Sequence, residues 1–201
     1  MTDEPKSLRD AQVLQQRLGM LHDEHIAPLT LLVEKIRRER AGAIVPYFDP
    51  LDGGTNARVL FLLEAPGPNA KYFISRNNPD ETAKNMFELQ RTAEIARRDT
   101  IFWNVVPWYI GDGRRIRASR SADFDQGRPY LEQVLALLSQ LRAIVLLGDE
   151  AQRAWDRANP AISGASIHRT HHTSPLSLNT DPVRRQRVLD LFRQIAANLR
   201  Q

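Results

Sequence analysis

Apolar positions follow two different spacings along this chain. Leu14, Leu18 and Leu21 form a narrow stripe, and Leu29, Leu32, Val33 and Ile36 repeat at helical spacing before Ala41-Gly42, so residues 1–45 read as a helical hairpin. The turn-rich VPYFDPLDGGTN comes next. A short continuous apolar run, Val59–Leu63, then predicts a buried strand, with Gly and Asn upstream and Pro-Gly downstream. Thr100–Val106, Arg142–Leu147 and the more polar Ala165–His172 predict three more. Helical spacing recurs over about Glu81–Arg97 and Arg128–Leu141, the latter with Leu131, Val134, Leu135, Leu138 and Leu141 on one face. Asp149 can cap a helix after Gly148, and Val188, Phe192, Ile195 and Leu199 mark a last one. Strands alternating with helices imply an α/β fold: a three-layer α/β/α arrangement around a central four-stranded parallel sheet, with the N-terminal hairpin as an extension. Without internal repeats or a Pro/Ser linker, residues 1–201 read as a single domain.

Composition narrows the chemistry. A length of 201 residues with 42% apolar residues suits one soluble domain, and the absence of cysteine removes disulfides, thiolate zinc sites, cysteine nucleophiles and cysteine-ligated iron–sulfur clusters. The longest apolar runs are too short to span a bilayer, and MTDEPKSLRD has no signal-peptide character, so a cytoplasmic protein is expected. Net charge is +4, distributed unevenly: residues 111–201 hold 14 Lys+Arg against 9 Asp+Glu, whereas residues 1–110 hold 14 against 15. Arg114, Arg115, Arg117 and Arg120 crowd one Gly-flanked stretch, which suits either phosphate contact or a solvated loop.

Parallel α/β sheets bind ligands beyond the carboxyl ends of their strands, so the residues after each predicted strand carry the interest. The first strand is followed by Glu64-Ala65-Pro66-Gly67-Pro68-Asn69, the second contains Asn104 within WNVVPW, and the fourth leads into HTSPLSLN at His172–Asn179. Taken singly, each has an ordinary explanation as a turn, cap or strand-end residue. Their joint occurrence, each after its own strand, favours one site. The groups His22/His25 with Asp23 and Glu24, and His168/His171/His172, have spacings that could suggest a metal centre, but the first has no distant third ligand and in a strand His171 points away from the face shared by His168 and His172; no phosphate-binding GxxxxGK[ST] occurs. No metal or cofactor is expected.

LLEAPGPNA at Leu62–Ala70, FWNVVPW at Phe102–Trp108 and HTSPLSLN at His172–Asn179 together resemble the signatures of the uracil-DNA glycosylase superfamily, in the branch whose first motif contains Glu-Gly/Ala-Pro-Gly. The helix, strand and turn of RPYLEQVLALLSQLRAIVLLGDEAQRAW are similar as well, so the resemblance covers roughly Arg58 to Asn179. Relatives with this first motif commonly hold a four-cysteine iron–sulfur cluster. This chain has other residues there, such as Trp108, which implies that aromatic and apolar packing replaces the cluster.

The resemblance implies a monomeric enzyme that flips a base out of DNA and hydrolyses its N-glycosylic bond. It gives His172 the role of donating to uracil O2 as the base departs, and Asn104 that of reading the uracil edge. Phe73 would stack on the base, with Tyr72 as its rival and a place in the core as the alternative for either. Glu64 or Asn69 would hold the water, since Ala65 stands where another branch has a catalytic Asp. Gly67 occupies the place of a Tyr that blocks the thymine methyl in uracil-restricted relatives, which leaves hypoxanthine, xanthine and modified uracils as further substrates. Ser174, Pro175, Leu176 and Ser177 would pinch phosphates and fill the gap left by the flipped base, with Arg114, Arg115 and Arg117 nearby on DNA. A related basic insertion cross-links to DNA through a His. Arg117 is the nearest match here, so no such adduct is expected. The competing expectation is a non-catalytic or repurposed member that binds nucleic acid or a nucleobase through the same pocket. A nucleotide-metabolising hydrolase on a similar sheet is a more distant one.

Overall fold

The computed structural model describes residues 2–112, 116–162 and 164–201. In chain order its first elements are α1 (Ala11–Leu18), α2 (Ala27–Glu39), β1 (Tyr47–Phe48), β2 (Val59–Leu63), β3 (Phe73–Ile74) and α3 (Glu81–Thr92). They are followed by β4 (Thr100–Asn104), α4 (Ser121–Leu137), β5 (Ala143–Leu147), α5 (Asp149–Ala158), β6 (Ser166–Thr170), α6 (Pro175–Leu178) and α7 (Pro182–Leu199).

Four parallel strands form the central sheet in the order β4-β2-β5-β6. VLFLL, TIFWN and AIVLL are apolar almost throughout because these strands are buried, β4 included although it is one edge of the sheet, whereas SIHRT is polar because β6, at the other edge, is left exposed or half-buried. Register decides which side chains share a face. Phe61 pairs with Phe102 and Leu63 with Asn104, so these four residues project to one side of the sheet. There the Phe61 ring meets Phe102 at 5.2 Å and Phe192 of α7 at 5.1 Å. Trp103 projects to the opposite side and stacks on Phe48 at 4.1 Å. Helices α3 and α7 pack together, as do α2, α4 and α5 in sequence.

Residues 1–45 divide between two cores. The apolar face of α2, with Leu29, Leu32, Val33 and Ile36, joins the main core, while Leu8, Leu21 and Phe73 form a small second one with Leu14 and Leu18 of α1. Trp108 is buried under the Arg40 guanidinium, 3.5 Å from its ring, and meets Tyr130 edge-on, so an aromatic contact links the end of α2 to α4. Among the described residues no helix is long and apolar enough to cross a membrane.

Three elements differ from the sequence pattern. Helix α4 begins at Ser121 rather than near Arg128, passing through both Gly127 and Pro129. A Cβ on Gly127 would lie 2.2 Å from the Val105 carbonyl oxygen, so that glycine permits a close helix-to-loop approach instead of ending the helix. Helix α3 stops at Thr92, ahead of Glu94 in the left-handed conformation (φ 57°). The short parallel pair β1–β3 has no counterpart in the pattern, because two-residue strands carry no periodicity.

A buried ionic network fastens the N-terminal segment to the domain. Asp49 accepts from Arg17 and Ser75, and Arg97 reaches Asp49, Asp52 and Asp3 at once. Burial pushes the Asp49 carboxyl upward, but Arg97 and Arg17 outweigh it and hold the group below the usual carboxylate range. Asp52 goes the other way. Its Oδ1 pairs with Arg97 at 2.8 Å, its Oδ2 is buried without a partner, and burial raises its pKa to about 7 despite Arg97, with Asp49 adding to the rise. Because the folded value lies above the unfolded one near 3.8, this group's stabilising contribution is complete below that pH and is lost as pH rises through about 7. Asp52→Asn should therefore gain urea stability relative to wild type between about pH 5 and about pH 8, and a pH-independent difference would contradict the assignment.

Candidate active site

The chain leaves β2 for β4 on one side and later returns to β5 on the other, so the strand order reverses beside the carboxyl end of β2. A cavity of about 300 Å³ opens there. Leu63, Ile74, Met86 and Phe102 give it an apolar interior, and Asn104 projects from the end of β4 on the same face as Leu63 and Phe102. Asn104 is 2% exposed and its Nδ2 has no hydrogen-bond partner. An unpaired buried amide donor costs about 1–3 kcal/mol, and a ligand acceptor in the cavity would relieve that cost.

His172 lines the same cavity from just beyond β6. The backbone N–H of Ser174 donates to His172 Nδ1 at 3.1 Å, so in the neutral ring the proton resides on Nε2. Burial lowers the imidazole pKa, while Glu64 and Asp80 pull it back upward less strongly, and the neutral form prevails at neutral pH. Gly148, at the end of β5, backs the ring. It has φ +86°, and an added Cβ would sit 2.8 Å from His172 Cβ, so any side chain there displaces the imidazole.

Behind His172 the chain is braced. Thr173 is fully buried and its carbonyl accepts from Asn85 Nδ2 of α3 at 2.8 Å, while the same amide group reaches Asn179 Oδ1 at 3.0 Å. Arg185 donates to Asn85 Oδ1 in turn. Between these anchors, Ser174 precedes the single turn of α6, in which Pro175 takes the first position, Ser177 is half-buried and Leu178 is buried. Leu176 stands out at 83% exposure.

Ala65, Gly67, Asn69, Asn104 and His172 thus line one cavity. A Cβ on Gly67 would meet nothing within 4 Å, so this wall is open rather than filled. Glu64 is adjacent but outside the lining, and its Oε1 is occupied by the hydroxyl and backbone N–H of Ser119. Phe73 requires a correction. It is fully buried between α1 and Tyr47 in the second core, because in β3 alternate residues face opposite ways and Ile74 faces the cavity. Phe102, deeper in the sheet, is the aromatic ring present at the cavity. Arg117 makes a bidentate pair with Asp123, both contacts 2.7 Å. Arg114 and Arg115 lie outside the described residues.

The segment from Ile74 to Ala83 supplies a wall that the sequence patterns did not reveal, including Ser75, Arg76, Asn78, Asp80 and Thr82. Asp80 was accessible as a helix cap, being an Asp immediately before a helical run, but nothing in its spacing connects it to the other strand ends. Among the described residues no three His, Asp or Glu side chains gather where a metal ion could be held. A family model described as the uracil DNA glycosylase superfamily matches residues 50–197. A search among curated proteins finds no match.

Proposed function

The chain belongs to the uracil DNA glycosylase superfamily, and from that premise we propose that it hydrolyses the N-glycosylic bond of uracil or a related deaminated base flipped out of DNA. The observation that carries this reading is the buried, unpaired Nδ2 of Asn104, a residue that lines the same cavity as His172 with its proton on Nε2. Two preorganised donors in a largely apolar cavity suit a reaction whose difficulty is charge building up on a departing base. Asn104 can donate to O4 and accept from N3–H of uracil, an edge that cytosine presents in the opposite sense. His172 Nε2–H then meets O2, where the anion's charge accumulates. About 300 Å³ is at the small end of small-molecule pockets, the scale of a single extruded nucleoside.

The DNA itself would be gripped outside the cavity. Leu176, apolar and exposed on a braced turn, suits the gap left by the flipped base, and Ser174 and Ser177 suit the flanking phosphates. Gly67 leaves open space where a larger residue would exclude substituents on the base, which supports a broader range than uracil alone.

Incubation of the purified protein with single- and double-stranded oligonucleotides containing uracil, hypoxanthine or xanthine, followed by alkaline cleavage, tests the proposal. Abasic product is expected from at least one base. Its absence from all of them at enzyme excess overturns the proposal, and salt-sensitive DNA binding without cleavage would then favour a binding protein on the same fold.

A further inference from the structure

Resting on that reading, we propose that Asp80 is the catalytic carboxylate that orients the attacking water and takes its proton. Three observations on the cavity lead there. Ala65 has no functional group to offer the water. Glu64 stands outside the lining with Oε1 held by Ser119. Asp80 is the carboxylate that lines the cavity among its described wall residues, together with Asn104, and is near enough to His172 for its charge to act on the ring.

The geometry of Asp80 divides its two oxygens between separate tasks. Oδ1 accepts the Ala83 backbone N–H at 2.9 Å and caps α3, which fixes the side-chain rotamer. No cation is paired with Asp80 among the described residues, whereas its neighbour Glu81 is held by Lys6 and approached by Lys84. Oδ2 is thus available to a water, on a side chain already immobilised by its cap. Asn69, which also lines the cavity, is an exposed amide that can orient water but cannot take a proton from it.

In the resulting step the N-glycosylic bond breaks and its electron pair leaves on the base, where His172 Nε2–H and Asn104 Nδ2–H stabilise the anion. The water oxygen bonds to C1′ of the sugar, and the proton it loses passes to Asp80 Oδ2. That proton later goes to solvent or to the released base, restoring the carboxylate. A group that only positioned water would serve equally well as an amide; a proton acceptor would not.

Asp80→Asn distinguishes the two, since an Asn side chain caps a helix as well as Asp does and α3 should be retained. The expected result is a fall of about 10²-fold in the single-turnover rate of base release at neutral pH. Affinity for abasic-site DNA and the circular dichroism spectrum should match wild type. Asp80→Ser, which keeps a capping oxygen, should show the same loss, and Glu81→Gln should leave the rate unchanged. A rate within about threefold of wild type in Asp80→Asn would overturn the inference while leaving the glycosylase reading in place. An inactive wild-type protein would overturn the glycosylase reading and this inference with it.

Discussion

Replacing His172 with alanine should lower the single-turnover rate of base release by about 10²–10³-fold, with little change in affinity for undamaged DNA. The ring's contribution is a donor held in advance where negative charge develops, and three contacts hold it. Ser174 N–H consumes Nδ1, Gly148 packs against Cβ with no room for a side chain, and Asn85 ties down the Thr173 carbonyl that follows. Because burial lowers the imidazole pKa, the neutral ring and its activity should persist as pH falls below the ordinary histidine value of 6.5. Protonation deeper in acid would place Nδ1–H against Ser174 N–H, breaking the contact that orients the loop. The lowered pKa also means that the ring's contribution to stability is present above pH 6.5 and is lost as pH falls through the folded value. Rapid-quench measurements across this range provide the check. A wild-type rate in His172→Ala would remove the histidine from the chemistry.

Arg97→Met should cost about 3–5 kcal/mol of folding stability, measured by urea unfolding at neutral pH. Its guanidinium reaches Asp49 at 2.7 Å, Asp52 at 2.8 Å and Asp3, and donates to Asn77 Oδ1 at 2.6 Å. Asp49 and Asp52 have fully buried side chains, so removing the cation leaves carboxylates in a low-dielectric interior without the partner they share. Arg17 still reaches Asp49, and a raised pKa lets Asp52 take up a proton, which together keep the loss finite. Arg157→Met breaks an ion pair with Asp125 in which both side chains are about half exposed, and should leave the urea unfolding midpoint close to wild type. Equal losses in the two variants would show that the buried network has no special weight. The network also touches the site: Asp3 binds both Arg97 and Arg76, and Arg76 lines the cavity, so the N-terminal segment braces one of the cavity's walls.

Much of this architecture was legible in the chain. Val59–Leu63 is a strand with the same limits in pattern and structure, since a buried parallel strand is an uninterrupted apolar run with turn residues at both ends. The same logic located β4, β5 and β6 to within a few residues, and with them the places where Asn104 and His172 emerge. Helix α4 extends N-terminally beyond the spacing-based start near Arg128, through Gly127, because tolerance of a glycine inside a helix depends on what lies alongside. Here the close passage of Val105 makes a glycine necessary, and Pro129 lies on the exposed side of α4.

Phe73 shows the limit at the site itself. Its sequence neighbourhood fitted an aromatic beside a flipped base, but in a two-residue strand one step of register sends a side chain to the cavity or away from it. The N-terminal segment provides apolar partners, Leu8, Leu21 and the α1 leucines, on the far side, and Phe73 is buried there. Glu64 is similar, since it has the expected position in the chain but stands outside the cavity lining with its Oε1 held by Ser119, 55 residues away.

Hydrophobic spacing and the turn residues after each run were sufficient, by themselves, to determine the strands, the parallel sheet and the edge at which a site would form, because burial period and backbone preference are local properties. Direction and occupancy were decided only by the tertiary structure. Whether Phe73 faces the cavity, whether Glu64 is free, which nitrogen of His172 keeps its proton and whether Asp80 belongs to the site all depend on groups distant in sequence, competing for the same atoms and the same space.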